Sequence, residues 1–326
     1  MYSSNSLTYH HSPVDIDWEF PGYVPHGGTP DDTKNYVLLL RDVRAALDSY
    51  AAHTYPNGER VFGLTAAMPC TPSLIEIQDV ASISSILDEV NLMSYDFHGT
   101  WNDRVGVNAP LYDQPPDLFD SPGLSVHSCV EAWADGGAAR SKLNIGVPFY
   151  GRSYADGVEL YGEFGAGADG AHWHADGGVP QYYSIEEKLS EMITLRDGAT
   201  RTQYAFFADG GIVSFDDRES VCDKVEYTRK EGLSGMIIWD LSGDLNEDLM
   251  TPLLDVINFK LQLGDDFACD HLRLETRDEN GDVFKLEKKD NPWYGEFPFI
   301  RSFAGIRLAA AEPGDVTFSA SSLECR

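Results

Sequence analysis

The protein has 326 residues, and 24 lysines and arginines stand against 53 aspartates and glutamates, which gives a net charge of −29 at pH 7. Nucleic acids and anionic membranes are bound through clustered basic side chains, so this charge balance argues against both classes of partner. Hydrophobic residues make up 42% of the chain and aromatic residues 12%, which suffices for a large core.

Short apolar runs alternate with longer segments of helical periodicity, a pattern typical of βα units around a parallel sheet. The predicted strands are, in chain order, 14–19, 61–68, 90–96, 143–148 and 235–241. The predicted helices are 33–52, 73–87, 125–140, 218–231 and 245–261. A closed barrel of this kind needs about eight βα units, so roughly five units predict a chain that begins part-way through the fold.

One segment interrupts this alternation. Residues 153–217 are Gly-rich and then strand-like at 203–207 and 211–215, which predicts a small α+β insertion between the barrel portions 1–152 and 218–262. Residues 263–326 form a tail rich in loops and strands, in which Asn280-Gly281 predicts a hairpin turn. Its role stays open.

The chain shows no apolar run near the ~18 residues of a membrane span. Its first residues, MYSSNSLTYHHSP, also lack the apolar segment of a signal peptide. The five cysteines are too scattered to predict a disulfide framework or a CxxC metal site. Two interpretations of them stay open: a Cys269–Cys325 bond in an oxidising compartment, and isolated small hydrophobes.

Ligand-like side chains occur at His172, His174 and Asp176. They lie in a Gly-rich loop without the carboxylates that orient metal-binding histidines, so they are weak evidence for a metal. We therefore expect no metal site and no cofactor.

The first predicted strand carries three carboxylates, Asp15, Asp17 and Glu19, at alternate positions, so all three share one face. On one interpretation this face points into a barrel near the mouth where barrel active sites lie. Crowded carboxylates then raise at least one pKa, as a proton donor near neutrality requires. On the other, the strand is acidic on its solvent side, with Val14, Ile16 and Trp18 packed inward.

The catalytic strand of family 18 glycoside hydrolases, the chitinases, carries the motif DxxDxDxE, which residues 14–21, VDIDWEFP, resemble. Three further segments resemble family motifs in the same order. Residues 91–99, NLMSYDFHG, resemble the MxYD strand, residues 147–153, VPFYGRS, the PxYGRS strand end, and residues 235–239, GMIIW, the last barrel strand. The insertion falls where many members carry an α+β domain. The resemblance covers about residues 12–262 and implies a (β/α)8 TIM barrel that lacks its first three or so βα units.

The resemblance implies a role for each matching residue. Family 18 uses the N-acetyl group of the substrate in place of an enzyme nucleophile. Glu19 would protonate the glycosidic oxygen and later activate water. Asp17 would bind the acetamido N–H, with Asp15 supporting it, and Tyr95 would fix the acetamido oxygen.

Five more residues match substrate contacts of the family. Met93 and Asp96 would line the pocket, Tyr150 and Arg152 would contact sugars near the cleaved bond, and Trp239 would form an apolar floor. Taken singly, Met93, Tyr150 and Trp239 are more often core residues, and Arg152 can equally be a salt-bridge residue. Their position at the ends of predicted strands favours the site.

Two departures from the family pattern affect the expected activity. Ser12 stands where the first Asp of DxxDxDxE would be, so we expect Asp17 to be governed mainly by Glu19 and by substrate, and turnover to be reduced. The three missing strands, with the SxGG motif, would leave sheet edges unpaired. We expect such a chain to fold poorly or to be inactive, and a secreted full-length protein behind it.

The sequence thus predicts a hydrolase that cleaves β-1,4 linkages between N-acetylglucosamine residues of chitin or its oligomers, expected outside the cell in its full-length form. Two alternatives remain. A chitinase-like protein would hold the glycan without cutting it, although such proteins typically lose the acid at the Glu19 position. An inert fragment would show no cooperative unfolding. The oligomeric state is not predicted.

Overall fold

The structure is a computed structural model that describes residues 13–55, 57, 62–114, 122–165, 167–272 and 306–307. The strands are β1 (Val14–Asp17), β2 (Leu64–Met68), β3 (Glu89–Leu92), β4 (Leu143–Pro148), β5 (Arg152–Tyr154), β6 (Met192–Asp197), β7 (Thr202–Phe207), β8 (Ile212–Phe215), β9 (Gly235–Trp239) and β10 (Ile306–Arg307). The helices are α1 (Asp32–Thr54), α2 (Pro72–Ile75), α3 (Val80–Ile86), α4 (Val126–Asp135), α5 (Tyr182–Lys188), α6 (Arg218–Lys230) and α7 (Pro252–Leu263).

The main sheet has the order β1-β2-β3-β4-β9-β10. The first five strands of this order are parallel to their neighbours, whereas β10 pairs antiparallel with β9. This confirms the predicted α/β class with a parallel sheet. Because parallel strands end at one edge, residues that follow β1, β3, β4 and β9 meet there.

Several predicted boundaries are wrong, each for a local reason. Helix 73–87 is divided into α2 and α3, and the Asp79 side chain caps α3 by accepting from the Ser82 N–H at 3.1 Å. Strand 90–96 ends early, and Asp96 has a φ of 57° that no strand accommodates. Helix 245–261 begins only at Pro252, because residues 246–250 form a turn in which the Met250 N–H donates to Asn246 Oδ1 at 2.9 Å.

A second sheet of four antiparallel strands, in the order β5-β8-β7-β6, occupies the segment that interrupts the alternation. Strands β7 and β8 confirm the two predicted there, while β5, β6 and α5 were not predicted. The division of the chain into domains at residues 153 and 217 stays a prediction.

The core lies between the main sheet and the helices. Apolar side chains of β2 such as Leu64 and Met68 join Tyr36 and Leu40 of α1 and Trp133 of α4 in one buried cluster. Trp133 also donates its indole N–H to the Pro69 carbonyl at 3.0 Å. Side chains alternate along each strand, so this packing leaves the opposite face of the sheet for polar groups.

Two disulfides join segments that are distant in sequence: Cys70 to Cys129, and Cys222 to Cys269. The expectation that the cysteines form no framework is therefore wrong. The proposed Cys269–Cys325 bond is also wrong, since Cys222 is the partner of Cys269; Cys325 itself lies outside the described residues. The first bond ties the loop after β2 to α4, and the second ties α6 to the turn after α7.

Among the described helices, none combines the length and the apolar character that crossing a membrane would require.

Candidate active site

The carboxylates of β1 lie on the sheet face opposite the core. Ile16 and Trp18 pack toward the helices, and Trp18 meets the Tyr36 ring edge-on at 5.8 Å. Asp15 Oδ1, on the other face, accepts from Thr65 Oγ1 at 2.5 Å and from Asn91 Nδ2 at 3.0 Å. Both interpretations of the strand are thus partly correct: Ile16 and Trp18 pack inward, and the carboxylate face continues across β2 and β3. The prediction for Val14 is wrong, since Val14 is 37% exposed.

Asp17 and Glu19 form a coupled pair. Partial burial, and then the charge of Asp15, raise the pKa of Asp17. Partial burial, and then the charge of Asp17, raise the pKa of Glu19. An interaction between the two carboxyls lowers the pKa of Asp17 and raises that of Glu19, so the two groups titrate as a pair.

One expectation about this pair needs correction. Among protein groups Asp17 is not governed mainly by Glu19, because burial and the charge of Asp15 affect its pKa more than the hydrogen bond with Glu19. Residue 12 lies outside the described residues, so the effect of Ser12 stays a prediction.

His26 is a neighbour of Glu19 that the sequence did not indicate. Its ring nitrogen Nδ1 lies 3.1 Å from the Glu19 carbonyl oxygen, and the ring stacks edge-on against Tyr23 at 4.8 Å. Its positive charge lowers the pKa of Glu19 and so opposes the larger effects of burial and Asp17.

Tyr95 lies near enough to the three carboxylates to feel their charges. Burial and then the charges of Asp96, Asp17, Glu19 and Asp15 raise the pKa of Tyr95, so its hydroxyl keeps the proton and remains a donor. The ring sits against Gly146 of β4, where a Cβ atom would approach a ring carbon to 2.7 Å. Glycine at this position therefore makes room for the tyrosine.

Asp96, Tyr150 and Arg152 form a hydrogen-bonded cluster at the same edge of the sheet. The Tyr150 hydroxyl donates to Asp96 Oδ1 at 2.7 Å, and Arg152 donates to the same oxygen through Nε at 2.8 Å. The Tyr150 ring meets Tyr95 edge-on at 6.3 Å, which joins this cluster to the carboxylate pocket. Arg152 is thus a salt-bridge residue within the candidate site, and Tyr150 is both buried and hydrogen-bonded to Asp96.

The two remaining predicted residues differ in exposure. Trp239 is 57% exposed at the end of β9, so core packing does not explain its indole. It pairs in register with Pro148 at the end of β4. Met93 is half-buried and directly follows β3, with its backbone N–H bonded to the Met68 carbonyl at 2.9 Å.

Sequence reasoning missed several residues of this region. Trp101 is 57% exposed, and the Arg152 guanidinium lies 5.2 Å from its ring centroid. Thr65 and Asn91 anchor Asp15 from neighbouring strands. Asn91 could have been found from the sequence, because it precedes Met93 by two positions and so shares its face.

The described part of the chain contains no group of three His, Cys, Asp or Glu side chains placed to hold a metal. His172 Nδ1 lies 2.7 Å from Asp169 Oδ2, and His172 Nε2 lies 3.3 Å from Asp209 Oδ1. The ring also stacks on Phe207 at 3.8 Å. Two carboxylates and a stacked ring thus hold the His172 side chain in place.

A family model described as glycosyl hydrolases family 18 matches residues 4–244. The chain belongs to this family. This confirms the predicted family and, through the solved structures below, the α/β barrel class of the fold.

Among the relatives, a chitinase of Autographa californica nuclear polyhedrosis virus is 34% identical over 252 residues, which cover 74% of this chain and 44% of that protein. Two solved structures are similar. An immunomodulatory active chitinase from Trichuris suis has a TM-score of 0.67 at 28% identity, covering 76% of this chain and 68% of that one. A mutant of Ostrinia furnacalis group II chitinase catalytic domain 2 in complex with (NAG)5 has a TM-score of 0.65 at 28% identity, covering 76% and 65%.

The chain spans a limited share of its curated relatives. It covers 44% of the viral chitinase, 36% of chitinase A1 from Niallia circulans and 54% of chitotriosidase-1 from Mus musculus. The activity and substrates of those whole proteins therefore carry over to this chain as proposals.

Proposed function

We propose that the protein hydrolyses β-1,4 linkages between N-acetylglucosamine residues of chitin or chitooligosaccharides, with retention of configuration through the substrate's own acetamido group. The observation that carries this proposal is the Asp17–Glu19 pair, in which burial and like charge raise both pKa values. A carboxylic acid that keeps its proton toward neutral pH is the general acid that glycoside cleavage requires.

In the first step, Glu19 gives its proton to the oxygen of the breaking glycosidic bond. The acetamido oxygen attacks the anomeric carbon, and the electron pair of the broken bond leaves with the protonated sugar. Asp17 accepts a hydrogen bond from the acetamido N–H and stabilises the positive charge of the oxazolinium ion. Tyr95 donates to the acetamido oxygen, since its raised pKa keeps the hydroxyl protonated.

In the second step, the ionised Glu19 takes a proton from water as the water attacks the anomeric carbon. The bond to the acetamido oxygen breaks, and the sugar leaves with its original configuration. Asp15, held by Thr65 and Asn91, keeps a fixed negative charge beside Asp17 through both steps.

The substrate chain lies along the edge where β3, β4 and β9 end. Met93 and Asp96 line the pocket, Tyr150 and Arg152 contact the sugars next to the cleaved bond, and Trp239 stacks beneath the distorted sugar. An indole that is 57% exposed suits the C–H face of a sugar ring. This chemistry involves no metal and no cofactor.

The same proposal extends to architecture and compartment. Residues 1–152 and 218–262 form the catalytic barrel portion, residues 153–217 an α+β domain, and residues 263–326 a tail. Two disulfides suit an oxidising compartment, which supports an extracellular location.

The test is to incubate the purified chain with N-acetylglucosamine tetramers to hexamers, measure shorter oligomers by chromatography, and follow the anomeric protons by NMR. The proposal expects product whose first-formed reducing end is the β anomer. The α anomer first would contradict the retaining mechanism. Binding measured by calorimetry without any product would instead support the alternative function, a chitinase-like glycan-binding protein.

A further inference from the structure

Asn108 lies in the segment between β3 and α4 and is not one of the predicted site residues. Its side chain is 1% exposed. The carboxamide uses both of its ends: Oδ1 accepts from the Asp96 N–H at 3.0 Å, and Nδ2 donates to the Tyr150 carbonyl at 3.1 Å. One side chain thus bridges the segments that follow β3 and β4.

The Asp96 end of this bridge fixes an unusual backbone. Asp96 has a φ of 57°, in the left-handed region, which side chains other than glycine adopt at a cost. Two bonds from Asn108 hold the chain there, because the Asn108 carbonyl also accepts from the Phe97 N–H at 3.0 Å. This conformation directs the Asp96 carboxylate to the Tyr150 hydroxyl and to Arg152.

The Tyr150 end closes a ring of contacts. Asn108 holds the Tyr150 backbone, and the Tyr150 hydroxyl donates to the Asp96 carboxylate, while Asn108 also holds the Asp96 backbone. Within this ring Asn108 and Tyr150 are buried, so losing either bond of the Asn108 carboxamide leaves an unpaired polar group away from water.

Asn108 also reaches the antiparallel sheet. Its backbone N–H donates to Ser214 Oγ at 3.0 Å, and Ser214 of β8 pairs in register with Arg152 of β5. Arg152 therefore approaches Asp96 from a strand whose neighbour is attached to Asn108. Asn108 is thus hydrogen-bonded to the segments that carry Asp96 and Tyr150 and to the strand that pairs with Arg152.

We infer that Asn108 is a positioning residue for the proposed hydrolysis, which sets Asp96, Tyr150 and Arg152 relative to the Asp17–Glu19 pair and fastens the antiparallel sheet to the active-site edge. The inference rests on the proposed function. No other natural side chain of this size supplies an acceptor for the Asp96 N–H and a donor for the Tyr150 carbonyl without charge. Asn108 acts through its neighbours and not on the substrate.

The test compares Asn108→Ala and Ser214→Ala with the wild type and with Thr228→Val as matched control. Thr228 is fully buried in α6 and donates to the Lys224 carbonyl at 2.8 Å, so its substitution also removes one buried hydrogen bond, away from the cluster. Thermal unfolding sets a temperature at which all four proteins are folded. There, kcat, KM and the pH profile of kcat/KM are measured on N-acetylglucosamine oligomers.

We expect Asn108→Ala to lower kcat by up to about 100-fold, the loss associated with misplaced contact groups. We also expect the basic limb of the kcat/KM profile to move to lower pH. The charge of Asp96 helps to raise the pKa of Glu19, so a displaced Asp96 raises that pKa less. Ser214→Ala removes a single hydrogen bond, so we expect it to change kcat and the basic limb in the same direction but by less. It also keeps the inference testable if Asn108→Ala fails to fold. Thr228→Val leaves kcat and the pH profile unchanged.

If Asn108→Ala and Ser214→Ala lose thermal stability but keep the wild-type kcat and pH profile, the inference is overturned and the proposed function stays intact. A wild type that binds oligomers without cutting them would overturn the proposed function instead. The affinities measured by calorimetry then decide: a Kd raised at least tenfold in Asn108→Ala and unchanged in Thr228→Val supports the positioning role, and equal affinities refute it.

Discussion

Two acidic clusters of the molecule are built in opposite ways. On the open face of β1, Asp17 and Glu19 lie beside further carboxylates, Asp15 and the Arg152-paired Asp96, and the charge of His26 lowers the pKa of Glu19. Behind the antiparallel sheet, each carboxylate meets a cation. Lys224 of α6 pairs with Asp216, where both side chains are fully buried, and Arg196 of β6 contacts Asp223 at 2.6 Å.

Under the proposed function, the difference separates a reactive cluster from a structural one. Burial raises the carboxyl pKa values in both places, and in the second cluster the cations oppose that rise without cancelling it. A carboxyl without a nearby cation keeps its proton and is available for chemistry. A carboxylate paired with a buried cation stays charged and holds elements together, here β8, α6 and β6.

The largest expected effect on stability comes from Lys224→Met. It removes the cation and leaves the fully buried Asp216 without its ion-pair partner. We expect the free energy of unfolding to fall by about 3–5 kcal/mol, measured by urea denaturation. The double variant Lys224→Met, Asp216→Leu recovers most of that loss because no charge remains buried. Equal stability of wild type and Lys224→Met would refute the structural role.

A buried carboxylate without a cation tests the other half of the comparison. Burial raises the pKa of Asp244 to about 8, against which its bonds from the Leu253 and Leu254 N–H groups act. Its folded pKa lies above the unfolded value, so its contribution to stability is complete at low pH and is lost as pH rises through 8.

Unfolding free energies of the wild type and Asp244→Asn, measured from pH 5 to 9, check this sign. The wild type is expected to lose up to about 1.4 kcal/mol per pH unit more than the variant within that window. Parallel curves would show that Asp244 does not titrate there.

Asp15→Asn tests whether the charge of Asp15 raises the pKa of Asp17. Removing the negative charge lowers the pKa of Asp17, because Asp15 is one of the causes that raise it. An ionised Asp17 is then available at lower pH, so the acid limb of kcat/KM moves to lower pH. Asparagine keeps an acceptor for the Thr65 hydroxyl, which preserves the local geometry. A limb that stays in place or moves upward would contradict the assignment.

The smallest effect is expected at an exposed ion pair. Glu131 lies 2.6 Å from Arg140 with both side chains about one-third exposed, at 38% and 32%. Glu131→Gln is expected to change the free energy of unfolding by less than about 1 kcal/mol, because water screens the pair. A loss comparable to that of Lys224→Met would mean that burial is not what separates the two ion pairs.

Strictly local patterns made the main features predictable. The alternation of apolar runs and helical segments located all five parallel strands, and the two-residue spacing of Asp15, Asp17 and Glu19 placed them on one face. The roles of Tyr95 and Asp96 came from the resemblance of residues 91–99 to a family motif and stay predictions.

Features set by long-range contact were not predictable. Cys70 and Cys129 are 59 residues apart, and their pairing depends on how α4 packs behind β2. The left-handed conformation of Asp96 is held by Asn108, twelve residues later, and no local pattern reports such a bond. Strand β6 escaped prediction because its side chains are mostly half-buried and show no clear alternation.

The most direct measurement compares turnover of N-acetylglucosamine oligomers by the wild type, Glu19→Gln and Glu131→Gln. Glu131 lies in α4 and pairs with Arg140, just before β4 begins and so at the opposite end of the sheet. The account predicts that Glu19→Gln lowers kcat by about 10²–10⁴-fold with oligomer binding retained, while Glu131→Gln turns over at the wild-type rate. Equal rates for wild type and Glu19→Gln would contradict the assignment of Glu19 as the acid.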